Sequence, residues 1–261
     1  MEFFEKIEKN PAEDLVWNIP ERKQGIVNII GGNEQNFKTE IKVAEFLAEK
    51  YPIELINVVL PDSLKTKLPN LDNFMFLPAT DSGSFDESQE LIDIFNSADF
   101  NLLLGDLSKN NVTKKALGSA LETSSKMTLV TRDAVDVLAD VTTDKILMNE
   151  NLIIFASVTQ LAKILGAVYY PKMLLMSQSL MQVADVLHKF TLSYPAKIIT
   201  LHNEQILIAE NGNVKALALN ESGYMPFTIW NGELAAKIMA LNLYNPNTFI
   251  KAVVAAIFSK T

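Results

Sequence analysis

The stretch G-I-V-N-I-I-G-G-N, residues 25–33, decides how the rest of the sequence is interpreted. It is an apolar run rich in β-branched residues that stops at a glycine pair, which is typical of a buried parallel strand before a turn. The residues after it place Phe37, Ile41, Ala44 and Leu47 at helical spacing, so that one helix face is apolar. Together the two segments predict one βα unit.

The same alternation continues towards the C-terminus. Further strand-like runs occupy residues 53–59, 73–78, 99–106, 127–131 and 152–156, with helical sequence between them. Strands that alternate with helices predict an α/β fold of three layers, with a mainly parallel central sheet and helices on both faces. Ligands of such sheets bind at the carboxyl ends of the strands. Those ends are Gly31-Gly32-Asn33, Gly105-Asp106, Thr131-Arg132-Asp133 and Ala156-Ser157.

The alternation of strands and helices stops after a predicted helix at residues 177–192. Three short strands follow directly on one another, at residues 196–202, 205–210 and 214–219. The dipeptide Asn211-Gly212 between the last two is a strong hairpin signal. We therefore expect a C-terminal hairpin at the edge of the sheet.

The N-terminal residues predict an element separate from the α/β domain. Residues 1–17 carry Phe3, Phe4 and Ile7 and are expected to form a short amphipathic helix that docks on the rest. We therefore expect a helical cap at residues 1–18 and a single α/β domain at residues 19–261.

Composition excludes several classes of function. The sequence of 261 residues has no cysteine and two histidines, which excludes thiolate and histidine-rich metal sites, and no metal-binding residue is predicted. A formal net charge of -8 argues against a nucleic-acid partner. No apolar run approaches the roughly 20 residues that span a bilayer, and the N-terminus does not resemble a signal peptide. We expect a cytoplasmic protein without a membrane partner.

The loop N-E-S-G-Y-M-P-F-T-I-W-N-G-E, residues 220–233, leads into two helical segments that reach the C-terminus. A loop at a helix start exposes backbone N–H groups and suits an anion. Gly31-Gly32 lacks the third glycine of a dinucleotide fingerprint, and Lys38 lacks the preceding glycine of a phosphate-binding P-loop. The final loop is therefore the stronger candidate for phosphate.

From Ile19 onward the chain resembles the ribokinase-like superfamily, and within it the ADP/ATP-dependent NAD(P)H-hydrate dehydratases. The resemblance rests on the order and spacing of segments. The motifs of that family fall on Gly105-Asp106-Leu107, Thr131-Arg132-Asp133-Ala134, Phe155 to Gln160, His202-Asn203, Asn220 to Gly223 and Ile229 to Glu233.

The resemblance implies a protein that uses ATP or ADP with Mg²⁺ to phosphorylate a hydrated nicotinamide, which then loses phosphate. It also implies a homo-oligomer and a nucleotide-type small molecule as the ligand. Glu233 takes the place of the aspartate that acts as general base. The residues implied to bind the nucleotide are His202, Asn203, Asn220, Gly223, Asn231 and Gly232. Those implied to bind the substrate are Gly31, Gly32, Asn33, Gly105, Asp133 and Ser157.

Departures from the family's motifs predict impaired catalysis. Ile229 and Trp230 replace glycines, and Glu233 is one methylene longer than aspartate. Glu233 as a helix-start carboxylate that interacts with the helix dipole is an equal alternative. Two further hypotheses stay open: a binding or scaffolding relative without catalysis, and a kinase of the same superfamily that acts on a small heterocycle.

Simpler interpretations exist for other polar residues. His202 is expected to be an exposed turn residue, and His188 a surface or boundary residue. Asp133 and Asp136, with Arg132, are expected to serve the start of a helix, and only secondarily a metal-bound water.

Overall fold

The computed structural model describes residues 2–7, 19–69, 71–219 and 228–258. In these ranges ten strands form one sheet: β1 (Phe4–Ile7), β2 (Ile26–Gly31), β3 (Leu55–Pro61), β4 (Phe74–Leu77), β5 (Phe100–Gly105), β6 (Met127–Thr131), β7 (Leu152–Ser157), β8 (Lys197–His202), β9 (Gln205–Glu210) and β10 (Asn213–Ala218). The helices are α1 (Lys38–Lys50), α2 (Gln89–Ser97), α3 (Asn111–Thr123), α4 (Ala134–Val141), α5 (Asp144–Leu147), α6 (Val158–Ala167), α7 (Leu180–Ser193), α8 (Glu233–Tyr244) and α9 (Phe249–Phe258).

The strand order is β1-β10-β9-β8-β7-β6-β5-β2-β3-β4. From β4 through β2 to β8, every neighbouring pair is parallel, while β8, β9 and β10 form antiparallel pairs. The mainly parallel α/β architecture expected from the sequence is therefore confirmed. Strand β2 lies next to β5, so the carboxyl ends of β2, β5, β6 and β7 are consecutive along one edge.

Alternation along each strand divides the core between the two faces of the sheet. In β2, Ile29 belongs to the cluster beneath α1, α8 and α9, while Ile30 belongs to the cluster beneath α2, α3, α4, α6 and α7. Both isoleucines are fully buried, as expected for a strand covered on both sides. Helix α8 packs against α1, α9, β5 and β6, which fixes its N-terminus near the carboxyl edge of the sheet.

Two-residue turns close the antiparallel segment. Asn203 and Glu204 join β8 to β9 with φ values of 46° and 58°, and Asn211 and Gly212 join β9 to β10 with φ values of 49° and 77°. Positive φ at both central residues matches the twist of the flanking strands. The hairpin is confirmed, and β1 lies outside it, so that β10 is not the outermost strand of the described sheet.

The helix expected at the N-terminus is wrong for residues 4–7, which form β1. An edge strand leaves a row of backbone groups unpaired, and β1 pairs with that edge of β10 in parallel. Val214 N–H donates to the Phe3 carbonyl at 2.8 Å, and Phe3 stacks on half-buried His188 with ring centroids 4.1 Å apart. Residues 8–18 lie outside the described ranges, so the domain boundary at residue 18 stays a prediction.

Across the described ranges, no helix combines the length and apolarity that crossing a membrane requires.

Candidate functional site

The predicted strand ends come together at one edge of the sheet. The N–H of Gly32, after β2, donates to the carbonyl of Gly105 at 2.8 Å. Asn33 Nδ2 donates to the carbonyl of Asp106 at 2.5 Å. These bonds join the loops that follow β2 and β5 into one surface, which we call the glycine floor: Gly31, Gly32, Asn33 and Gly105.

The glycine floor has no room for side chains at two positions. A Cβ on Gly105 would lie 2.0 Å from Asp133 Oδ1, and Gly105 has φ of 117°, a conformation that side chains strongly disfavour. Asp133 Oδ1 accepts the N–H of Asp106 at 2.9 Å. A Cβ on Gly31 would lie 2.4 Å from Glu40 Oε1 and 2.6 Å from the Gly105 carbonyl oxygen. Both glycines therefore allow carboxyl groups to approach the backbone closely.

Glu40 lies in the first turn of α1 and is fully buried. Neither carboxyl oxygen has a hydrogen-bond partner among the described residues. Burial raises the pKa of Glu40 to about 8, and the nearby carboxylates of Asp106 and Asp133 add to this shift. The backbone N–H of Glu40 itself and the Arg132 guanidinium favour the ionised form, although neither makes a hydrogen bond of normal geometry to the carboxyl. The protonated, neutral form of Glu40 is therefore favoured at pH 7.

A cleft of about 640 Å³ opens above the ends of β5, β6 and β7. Its lining is mostly charged or polar and consists of Asp106, Arg132, Asp133, Asp136, Ser157, Thr159, Gln160, Lys163 and Trp230. This volume lies within the range of small-molecule sites.

Polar side chains hold the wall of the cleft in place. Arg132 Nη2 lies 3.1 Å from Asp106 Oδ1. Gln160 Nε2 donates to the Arg132 carbonyl at 2.8 Å and to Asp136 Oδ2 at 3.0 Å. Burial of Asp136 opposes ionisation, but hydrogen bonds from Lys163 and Gln160 outweigh it and lower the pKa of Asp136. The cleft therefore presents cations that are already paired with carboxylates.

Three helices begin near this edge without a side-chain cap. The N-cap residues Phe37 of α1, Asp133 of α4 and Gly232 of α8 make no side-chain capping hydrogen bond. By contrast, Ser157 caps α6 in a reciprocal arrangement with Gln160. A helix start has a positive dipole end, which favours anions. Some first-turn donors are already used, because Val135 and Asp136 N–H donate to backbone carbonyls at α4 and Glu233 N–H donates to Asn231 at α8.

The segment before α8 places an aromatic side chain in the cleft. Trp230 is half-buried and lies against Phe155 of β7, with ring centroids 4.9 Å apart. Ile229 beside it is buried. Gly232 has φ of 98° and sits against α1 and β5, where an added Cβ would meet Val43 Cγ2 at 2.9 Å. The glycine at this helix start is therefore required by packing.

Glu233, the predicted general base, is exposed at the first residue of α8 and is not among the described residues that line the cleft. Its N–H donates to Asn231 Oδ1 at 2.9 Å, so one first-turn donor is already used. Asn231 is likewise exposed. The role of Glu233 as base stays a prediction.

The interpretation of His202 as an exposed turn residue is wrong. It is the last residue of β8 and is buried, because Gln178 packs over it: His202 Nε2 lies 2.8 Å from the Gln178 carbonyl oxygen. Asn203 Nδ2 lies 3.1 Å from the same nitrogen. Since β8 neighbours β7, both residues lie at the carboxyl edge, and their contact with nucleotide stays a prediction. Asn220 and Gly223 lie outside the described residues.

The structure gathers part of the predicted site and adds to it. Asp133 and Ser157 line the cleft, and Gly31, Gly32, Asn33 and Gly105 form its neighbouring floor. Sequence reasoning missed Glu40 and Lys163. A signal for Glu40 existed, because it lies four residues before Ala44 and seven before Leu47, on the apolar face of α1. Lys163 gave no comparable signal.

The cleft has side chains that could contact the phosphates of ATP or ADP, although its lining carries more carboxylates than cations. Arg132, Lys163 and the uncapped helix starts are suitable partners for phosphate. In the described part of the chain, no three histidine, aspartate or glutamate side chains form a metal-binding group. Mg²⁺ in nucleotide sites is commonly held by phosphates, waters and one or two carboxylates. A nucleotide would therefore have to bring most of the ligands for Mg²⁺.

Comparison with known proteins identifies the fold. No protein-family model matches the sequence, and no curated protein matches it. The structure is similar to a ribokinase-like superfamily protein of Enterococcus faecalis V583, with TM-score 0.70 and 15% identity over 99% of this chain and 86% of that chain.

Two similar structures are of named enzymes from Bacillus subtilis. One is an ADP/ATP-dependent NAD(P)H-hydrate dehydratase co-crystallized with ATP/Mg²⁺ and soaked with CoA, with TM-score 0.57 and 11% identity over 92% of this chain and 82% of that chain. The other is an ADP complex of pyridoxal kinase, with TM-score 0.51 and 9% identity over 90% of this chain and 89% of that chain. The chain has the ribokinase-like fold.

Proposed function

We propose that this chain binds a nucleotide-type small molecule in the cleft, as a divergent relative of the NAD(P)H-hydrate dehydratases with slow or absent turnover. The position of Trp230 carries the proposal. Its indole lines the cleft directly before the start of α8, where the family's loop has glycine. An aromatic side chain there favours stacking on a heterocycle and disfavours close wrapping of backbone around phosphate.

Binding of an anionic ligand is supported by the charges and helix starts around the cleft. Arg132 and Lys163 line it, and α1, α4 and α8 begin nearby without side-chain caps. Both cations are paired with aspartates, however, so phosphate would compete with Asp106 and Asp136 for them. We therefore expect weak nucleotide affinity.

Slow chemistry is supported by the start of α8. Loss of one preorganised donor to a developing anion typically costs about 100- to 1,000-fold in turnover. Here Ile229 and Trp230 replace two glycines, and the Glu233 N–H is already bonded to Asn231. The carboxylate of Glu233 is exposed, so a mobile longer side chain would have to supply the base.

A kinase that phosphorylates a small heterocycle is the second candidate. The fold similarity to pyridoxal kinase supports it as much as the other similarity supports a dehydratase. A relative that binds without catalysis is the third. The homo-oligomer implied by the resemblance also stays a prediction, which light scattering on the purified protein tests.

Turnover of hydrated NADH distinguishes these proposals. With Mg²⁺ and either ATP or ADP, we expect the purified protein to regenerate NADH slowly or not at all. The matched variant combines Ile229→Gly, Trp230→Gly and Glu233→Asp, and appearance of activity in it would show that only this loop limits the reaction.

Two results would contradict the proposal. Wild-type turnover comparable to that of a dehydratase with the full motif, abolished by Glu233→Gln, would establish an intact dehydratase. A stable phosphorylated product from pyridoxal or a related hydroxymethyl heterocycle would establish the kinase.

A further inference from the structure

Glu40 is a buried acid that the proposed function does not use. Its side chain is fully buried, and both carboxyl oxygens lack hydrogen-bond partners in the described ranges. A buried carboxylate without partners is strongly disfavoured. Burial raises the pKa of this carboxyl to about 8, in agreement with its surroundings. Ionised Glu40 would lower the stability of the fold at this position. A role of Glu40 other than packing would explain its presence there.

The position of Glu40 links it to the cleft. Its Oε1 lies against Gly31 of the glycine floor, where a Cβ on Gly31 would meet it at 2.4 Å. Asp106 and Asp133, which follow Gly105 and β6, line the cleft on the outer side and act electrostatically on Glu40. Glu40 is therefore next to the glycine floor, which adjoins the cleft, and within electrostatic reach of two carboxylates that line the cleft.

We propose that Glu40 is a proton-linked specificity residue. As a neutral acid it allows the cleft to bind a phosphate-bearing ligand, and its ionisation weakens the binding of that ligand. This inference rests on the proposed nucleotide-type ligand. Glu40 acts through the local potential and is not proposed to touch the ligand.

The charges around the cleft explain why one more carboxylate would matter. The lining has three aspartates, Asp106, Asp133 and Asp136, against two cations, Arg132 and Lys163. An ionised Glu40 behind this wall would increase the excess of negative charge in a poorly solvated region, where Coulomb interactions are stronger than in water. Anion binding and ionisation of Glu40 therefore oppose each other.

The groups acting on Glu40 come from several elements. Asp106 after β5 and Asp133 after β6 disfavour its ionised form, while Arg132 favours it. Helix α8, which packs against α1, carries exposed Glu233 and buried Lys237 in its first turns. Because binding linkage is reciprocal, an anion that keeps Glu40 protonated must itself bind more weakly once Glu40 ionises.

The proposed ligand is an anion, which would use the two cations of the lining and the nearby helix starts. Two cations line the cleft, three helices begin without side-chain caps at the same edge of the sheet, and a neutral Glu40 adds no negative charge that would oppose phosphate. A cationic ligand would prefer ionised Glu40 and would bind better as pH rises. The two classes of ligand therefore give opposite pH dependences.

The test measures the affinity of ADP without metal between pH 7.5 and 9.5, where the phosphates are fully ionised. The full chain with Trp17→Phe leaves Trp230 as the single tryptophan and reports binding by fluorescence. We expect the Kd of this protein to rise above pH 8 by up to about tenfold per pH unit, the limit for one linked proton. Glu40→Gln, which keeps the shape but not the titration, should give a flat profile.

Glu45→Gln is the matched control, because Glu45 is exposed on the same helix. It should keep the pH dependence of the parent. Calorimetry of the unsubstituted chain at pH 8 in buffers of different ionisation enthalpy provides a second measurement, which is independent of whether Glu40→Gln folds. We expect ADP binding to take up a fraction of a proton.

Three results would overturn the proposal. The first is a Kd for ADP that does not change with pH in the Trp17→Phe protein. The second is the same pH dependence of the Kd after Glu40→Gln. The third is release of protons when ADP binds. Any of these with measurable ADP affinity contradicts only the role of Glu40. Absence of ADP binding at every pH would contradict the proposed function itself, and this inference with it.

Discussion

The glycine floor and the start of α8 lie on the same edge of the sheet but differ in what their glycines do. At the floor, side chains at Gly31 or Gly105 would collide with the carboxyl groups of Glu40 and Asp133. Before α8, Trp230 fits where glycine is expected, because its ring packs against Phe155. Glycine is kept where neighbouring atoms leave no room for a side chain, as at Gly31, Gly105 and Gly232, and is replaced at Trp230, where the structure accommodates one.

The largest expected effect is the pH dependence of stability caused by Glu40, which lies beside the glycine floor. Its pKa is raised from 4.5 to about 8 in the folded protein. Folding therefore favours the protonated form, and stability should fall as pH rises from about 5 to 8, with a slope approaching about 1.4 kcal/mol per pH unit. Above pH 8 no further loss is expected from this group. Urea unfolding across this range measures the effect.

Glu40→Gln should remove that slope and be more stable than wild type at pH 8, whereas Glu45→Gln should leave the slope unchanged. Equal slopes in wild type and Glu40→Gln would show that Glu40 is not a buried neutral acid. The floor would then be ordinary packing.

Gly105→Ala should destabilise the fold by about 3 kcal/mol, since the added methyl meets Asp133 Oδ1 and the backbone has φ of 117°. Gly166→Ala is the matched control, because a Cβ there meets nothing within 4 Å inside α6. That control should be neutral or stabilised by about 0.5–1 kcal/mol. Similar losses of stability in Gly105→Ala and Gly166→Ala would show that the glycine floor has no special requirement for glycine.

Trp230→Ala should destabilise the fold by about 1–2 kcal/mol, less than a fully buried aromatic residue would, because Trp230 is half-buried. The smaller loss follows from the partial exposure of this side chain. Chemical denaturation of Trp230→Ala beside Gly105→Ala provides the comparison. A loss larger than that of Gly105→Ala would reverse the assignment of the tight and the tolerant regions.

The smallest effect on stability is expected at Lys163, in the wall of the cleft. Lys163 is largely exposed and pairs with Asp136 at 2.6 Å, so Lys163→Met should cost about 0.5 kcal/mol at pH 7. The variant should also raise the pKa of Asp136 towards its ordinary value, which NMR titration of the carboxyl carbon detects. Lys115→Met, at the exposed pair with Glu87, is the control. An unchanged Asp136 titration would show that the pair does not persist in solution.

The sequence predicted the sheet well because alternation of strands and helices is a local property. The strands from β2 to β10 lie close to the predicted runs, and Asn211-Gly212 specifies its turn by conformation alone. Strand β1 was missed, because its conformation depends on a partner more than 200 positions away in the sequence: Glu5 lies beside Lys215. Short segments without strong local preference follow their tertiary partners.

The site was predicted less completely for the same reason. Strand ends are visible in the sequence, so Gly31, Gly105, Asp133 and Ser157 could be placed together before the structure. The burial of His202 depends on Gln178, which arrives from the segment before α7. The environment of Glu40 depends on α1 packing over β2 and on the loops after β5 and β6 lying close to β2, which only the strand order determines.

A crystal structure of the full chain soaked with ADP tests the central claim most directly. We expect nucleotide density in the cleft, with phosphate near Arg132, Lys163 or an uncapped helix start and the base beside Trp230. The Gly32–Gly105 hydrogen bond should remain in place. Nucleotide bound away from the carboxyl edge of the sheet, or no binding at millimolar ADP, would contradict the account.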